Sequence, residues 1–179
     1  MVSDDATLLA RARAGYEQAR VRFALQVAAP VAVLPLLSFS LGTAGRSAAV
    51  LGVGLVVTLA LATWRGGGFS LGAFSGLKAG LFPLAFAHAA KLFGHVCTPA
   101  GCTTLCVPAC ATGGIIAGLL VERWARTSSR PALTRGLGIG VALLTGALGC
   151  SCVGWSGVLA LLASLAATSL ATRLVPRAA

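Results

Sequence analysis

Apolar residues in this chain collect into blocks of about 20 positions, the length that crosses a hydrocarbon core as a helix, and polar residues fall between the blocks. The blocks do not alternate with period two, so a closed barrel of short strands is not expected. Unpaired backbone groups are intolerable in lipid, which leaves helices as the spanning elements. The pattern predicts an all-α polytopic membrane protein: a six-helix transmembrane bundle with short loops. The spans are placed at about residues 23–42, 47–64, 75–96, 105–121, 136–152 and 156–172. Residues 1–22 form a polar N-terminal segment ahead of a transmembrane domain over 23–177.

In "ATLLARARAGYEQARVRF", Leu9, Ala12, Tyr16, Ala19 and Phe23 share one face if the segment is helical, and Arg13 with Glu17 makes an i, i+4 pair. Asp4 and Asp5 at its start suit the helix dipole, and the segment reads as an interfacial extension of the first span in preference to a partner-binding helix. "GGGFSLGAFSGLKAGLFPLAFAHAAKLFGHV" is too long for one upright span. Residues 66–74 are placed along the inner surface, with Lys78 snorkelling inward from the start of the third span. Gly72, Gly76 and Gly80 recur every fourth residue, a spacing that lets helices approach closely.

Composition sharpens the class. Hydrophobic residues make up 57% and charged residues 10%. A soluble domain would carry roughly 25% charged residues, so the chain is far too apolar for that class. The net charge of +10 would suggest a nucleic-acid surface in a soluble protein, but here the basic residues sit between apolar runs, as in retained cytoplasmic loops. No nucleic-acid partner is expected; the bilayer is. Both termini are placed inside; in a bacterial inner membrane the opposite side is the periplasm.

Cys97, Cys102, Cys106, Cys110, Cys150 and Cys152 then all fall at the opposite, periplasmic side, where disulfides persist. Three chemistries use such a cluster. Disulfides would tie the 97–110 segment to the 150–152 turn, with 15 connectivities open to six cysteines. Alternatively, thiolates would sense oxidants or bind a soft metal ion, with His95, Cys97, Cys102, Cys106 and Cys110 as the candidate metal set. A third use is thiol exchange with a membrane quinone. If residues 102–110 were helical, Cys102, Cys106 and Cys110 would form one stripe, although Pro108 disfavours a regular helix there. His88 and Lys91 mark a candidate intramembrane polar site. No serine nucleophile motif or phosphate loop is present, and no conventional enzyme is expected.

The second half has a further order: a cysteine entering span four, the loop "ERWARTSSRPALTR", the span "GLGIGVALLTGALG", then Cys150, Cys152 and Trp155, and a last span closed by Arg173. This resembles the NrsF-type polytopic anti-sigma factors over about residues 100–177, and over the whole chain in topology. The resemblance implies a protein that holds an extracytoplasmic-function sigma factor inactive and reads an envelope signal through periplasmic cysteines. By position, the sensing pair would be Cys106 or Cys110 with Cys150 or Cys152. The cysteines outnumber the family's pattern. The cytoplasmic surfaces open to the sigma factor are residues 1–22, with Arg11, Arg13, Tyr16, Glu17 and Arg20, and the 122–135 loop, with Arg123, Arg126 and Arg130. Both are basic and suit an acidic partner. A soft-metal uptake carrier of the mercuric type and a quinone-linked thiol-disulfide oxidoreductase are the rival readings.

Overall fold

The computed structural model describes residues 2–40, 45–93, 95–98, 101–150 and 155–174; for residues 2–6, 37–40, 45–46, 91, 95–98 and 101–104 the backbone alone is described. Six stretches are long and apolar enough to cross a membrane: Thr7–Leu36, Ser47–Arg65, Gly68–Ala90, Cys106–Thr127, Pro131–Cys150 and Trp155–Leu174. The chain is a multi-pass membrane protein built as an all-α bundle of six spans.

The first span is compound. Helix α1 (Val2–Ala28) runs without interruption through the expected boundary at residue 22. A 3-10 turn (Ala29–Ala32) follows, then α2 (Val33–Ser40). Pro30 explains the turn, because its ring removes an N–H and blocks a preceding carbonyl; the Val33 N–H then bonds to the Pro30 carbonyl, one residue tighter than in an α-helix. Pro35 falls in the first turn of α2, where an N–H would have no partner anyway.

Helix α3 (Gly45–Arg65) returns, and α4 (Gly68–Phe93) leaves again after only two residues. Gly66 and Gly67 have φ of +69° and +57°, and the Gly66 N–H bonds to the Ala62 carbonyl at 3.0 Å. Only glycine adopts two successive left-handed conformations cheaply. This tight reversal corrects the expected third span: no segment lies along the surface over 66–74, α4 starts seven residues earlier than residue 75, and it ends at Phe93, before residue 96. Lys78 is therefore not at the start of the span but well inside it.

A two-stranded antiparallel hairpin follows, β1 (His95–Thr98) and β2 (Gly101–Thr104), with Cys97 opposite Cys102 in register. Then come α5 (Cys106–Thr127), α6 (Pro131–Cys150) and α7 (Trp155–Leu174). The expected 122–135 loop contracts to three residues. Ser128 Oγ shares a 2.7 Å hydrogen bond with Thr134 Oγ1 and accepts the Arg130 N–H at 3.2 Å. Pro131 opens α6 at a position where its fixed φ already suits a helix. Arg123 and Arg126 thus lie on a helix, and Arg130 on the bend.

The packing runs through small residues. Helix α4 packs most extensively on α6 and next on α5, and α5 packs on α7. A β-carbon at Gly72 would fall 3.0 Å from Cβ of Leu137; at Gly80, 2.6 Å from Cβ of Thr145. The four-residue glycine repeat is thus the α4 face seated on α6. Buried Pro83 is gripped from two sides, since β-carbons at Gly113 of α5 and Gly146 of α6 would each approach it within 2.8 Å or less. In lipid, where apolar association has no water to escape from, such close backbone contact supplies the cohesion. Around it lie two cores: Ala117, Val121, Leu161 and Leu165 among α4 to α7, and Leu55, Leu59, Val141 and Leu148 between α3 and its neighbours.

Candidate functional site

The six spans give the bundle two chemically distinct ends. At one lie the hairpin, the start of α5 and the last residue of α6, carrying Cys97, Cys102, Cys106, Cys110 and Cys150. At the other lie Arg20, Arg65, Arg126, Arg130, Arg135 and Arg173.

At the cysteine end, Cys110 and Cys150 stand at disulfide-bonding distance with Cα atoms 6.2 Å apart. That separation lies inside the range a bridge spans without moving the backbone. Both are buried, at 0% exposure. Local sequence explains their meeting. Helix α5 begins at Cys106, and Pro108 sits in its first turn, where its missing N–H is harmless, so Cys110 falls one turn inside the helix. Gly113 and Gly146 let α5 and α6 close on opposite sides of Pro83, which brings the end of α6 to Cys110. Cys106 is a free thiol, half-buried one turn before Cys110.

Several expected site residues are placed differently. The stripe Cys102, Cys106, Cys110 does not form: Cys102 belongs to β2, and only Cys106 and Cys110 share α5. Pairing across the hairpin holds 101–104 in extended backbone, so the helix begins beyond Cys102. Cys152 lies outside the described residues. Of the metal set, His95, Cys97 and Cys102 are described by backbone alone, and Cys110 joined to Cys150 has no thiolate left to offer. Reduced, the two would supply a pair of soft sulfur ligands. His88 Nδ1 donates to the Leu84 carbonyl of the preceding turn at 2.8 Å, so its own helix satisfies that nitrogen. Lys91 is described by backbone alone.

At the arginine end, the same two helices are joined again. Glu122 of α5, 3% exposed, receives two N–H groups of Arg135 of α6, from Nε and, at 3.0 Å, from Nη2. Sequence reading puts both residues at this end but does not pair them; a lone acid closing one span and an arginine opening the next is the available signal. Arg126 Nη2 reaches the Thr172 carbonyl on α7 at 3.3 Å.

The N-terminal helix is docked beside them. Arg20 donates to the Trp64 carbonyl, stands 5.5 Å from the Tyr16 ring and 5.9 Å from the Trp64 ring, and pairs with Glu17 at 3.8 Å. Trp64 Nε1 donates to Glu17 at 3.3 Å. Of the expected partner-contact residues, Glu17 and Arg20 are thus engaged in anchoring α1, while Arg11, Arg13, Tyr16, Arg123, Arg126 and Arg130 are exposed. Leu8 and Leu9, 61% and 72% exposed, extend an apolar edge along the same helix.

No protein-family model, curated protein or solved structure matches the chain.

Proposed function

We propose that the protein is a thiol-responsive membrane anti-sigma factor of a bacterial inner membrane, with its cysteines in the periplasm and both termini in the cytoplasm. Its exposed α1 arm and the α5–α6 bend hold an extracytoplasmic-function sigma factor, and bridging of Cys110 to Cys150 releases it. The single observation that carries this reading is that one helix pair is joined by sulfur at one end and by the Glu122–Arg135 ion pair at the other.

A change in how α5 meets α6 at the sulfurs is conveyed along rigid helix. Cys110 and Glu122 are twelve residues apart on α5, and Cys150 and Arg135 fifteen apart on α6. At the rise of an α-helix these separations are about 18 Å and about 22 Å. The reduced pair leaves the two helix ends free to separate. An oxidant of disulfide or peroxide class takes two electrons and two protons from the two thiols, and the new S–S bond holds α5 against α6. Two packings of one bundle, biased by that bond, would present the arginine end differently to its partner.

Basic charge on the arm and the bend suits an acidic partner, and the resemblance to NrsF-type proteins supplies the partner's class. A metal carrier of the mercuric type needs thiols at several depths, whereas the described cysteines share one end. An oxidoreductase must present its bridged pair to a substrate thiol, and in the bridged state both sulfur residues are buried at 0% exposure; the switch needs access only in the reduced state, in which the helix ends are free to part.

The test is co-purification from membranes of wild type, C110S, C150S and the double variant, before and after oxidant. Wild type is expected to retain a soluble sigma factor and lose it on oxidation, while all three variants retain it throughout. Release from the double variant as complete as from wild type would overturn thiol control. Absence of any sigma factor from every preparation would overturn the partner.

A further inference from the structure

Lys78 stands at a depth and on a face that nothing among the described residues accounts for. Gly76 of α4 meets Gly138 and Val141 of α6, and Gly80 meets Ala142 and Thr145. Lys78 is therefore level with about residue 140, the middle of the twenty-residue helix Pro131–Cys150. Such a helix is about 30 Å long, the thickness of the hydrocarbon core, so the α-carbon of Lys78 lies near mid-depth. Snorkelling gains about one turn, ~5 Å, and leaves the ammonium still well inside the core.

The side chain also points away from the bundle. Lys78 is exposed, and its neighbours on that face, Leu71, Leu81, Phe82 and Phe86, are exposed by 36% to 51%. Among the described residues it has no ion-pair or hydrogen-bond partner. A solitary ammonium facing lipid at the bilayer centre is strongly disfavoured, and an ionisable group in that position marks a pairing or a function.

We infer that the outward face of α4, centred on Lys78, docks a transmembrane helix of a different membrane protein that carries an aspartate or glutamate at mid-depth. A second copy of this chain cannot complete the pair. Its only acids are Asp4, Asp5, Glu17 and Glu122, the first three in the N-terminal arm and the last buried against Arg135. Two copies meeting on this face would instead oppose like charges. The flanking leucines and phenylalanines provide the apolar contact that a single crossing helix needs on either side of the ion pair. This inference does not depend on the sigma-factor reading or on which way the bundle faces.

A photo-crosslinking residue placed at Phe82, with Leu159 on α7 as the exposed control position, tests it in native membranes. Expected is an adduct from position 82 to a distinct membrane protein with a mid-span carboxylate. Its yield should fall at least tenfold in K78L and K78E, and K78E should recover when the partner's acid is changed to lysine. K78L removes a charge from lipid and should insert as well as wild type, so loss of its adduct reports pairing. Adducts to lipid alone or to a second copy would overturn the inference, as would an adduct that persists in K78L.

Discussion

Changing Gly76 to alanine probes the seat of α4 on α6 at its tightest point. A β-carbon there would fall 2.9 Å from Cα of Gly138 and 2.9 Å from Cβ of Val141, and closer still to the Gly138 carbonyl oxygen. Carbon pairs settle at about 3.5–4.0 Å, so the shortfall is about 0.6–1 Å. The obstacle is backbone, which cannot rotate aside, and the two helices must separate. Overpacking of this kind costs about 1–3 kcal/mol, offset by about 0.5–1 kcal/mol from replacing glycine inside a helix. Gly140, on α6 at nearly the same level, has nothing within 4 Å of its β-position, so G140A keeps the helix gain without the clash. Unfolding of both variants in mixed detergent micelles should show G76A destabilised by about 1–2 kcal/mol and G140A unchanged or slightly stabilised. If the two variants unfold together, the close α4–α6 contact is not what holds the bundle.

Other parts of the structure yield equally specific outcomes. E122L leaves Arg135 without its acid and should cost about 3 kcal/mol, the lower end for breaking a buried pair because Arg135 is only partly buried. E122L/R135L should recover most of this in the same unfolding assay, and equal losses in single and double variants would contradict the pairing. W64A removes the ring under Arg20 and the donor to Glu17, worth about 1 kcal/mol, so trypsin cleavage at Arg11 and Arg13 should quicken about fivefold; an unchanged rate would mean that α1 is not docked there. G66A forces a β-carbon onto a left-handed residue and should lower stability by about 1 kcal/mol. G15A, with nothing within 4 Å of its β-position, should not.

The number of spans and the separation of cysteines from arginines are legible in the sequence because both depend on block length and on charge placed between blocks. The third span is misplaced for a definite reason. Hydropathy falls through "RGGGFSLG" whether the chain lies on a surface or turns at once into a helix, and only the left-handed Gly66 and Gly67 distinguish the two. Sulfur spacing that repeats every four residues draws Cys102 into a helical stripe, while cross-strand pairing of 95–98 with 101–104 depends on backbone hydrogen bonds that no periodicity reports. The choice of Cys110 and Cys150 from four candidates requires knowing where α5 begins and how glycines seat two helices on Pro83. The charge of Lys78 is plain from its identity; its depth emerges only from the residues that α4 meets on α6.

The most direct measurement of the proposed switch is the fraction of Cys110 linked to Cys150 in native membranes, read by alkylation and peptide mass, in the same samples scored for bound sigma factor. As oxidant rises, the linked fraction should climb from a minority to a majority and bound sigma factor should fall in step with it. A fraction fully linked before any stimulus, or one that changes while the bound sigma factor does not, would make the bridge a fixed staple and contradict its role as the signal.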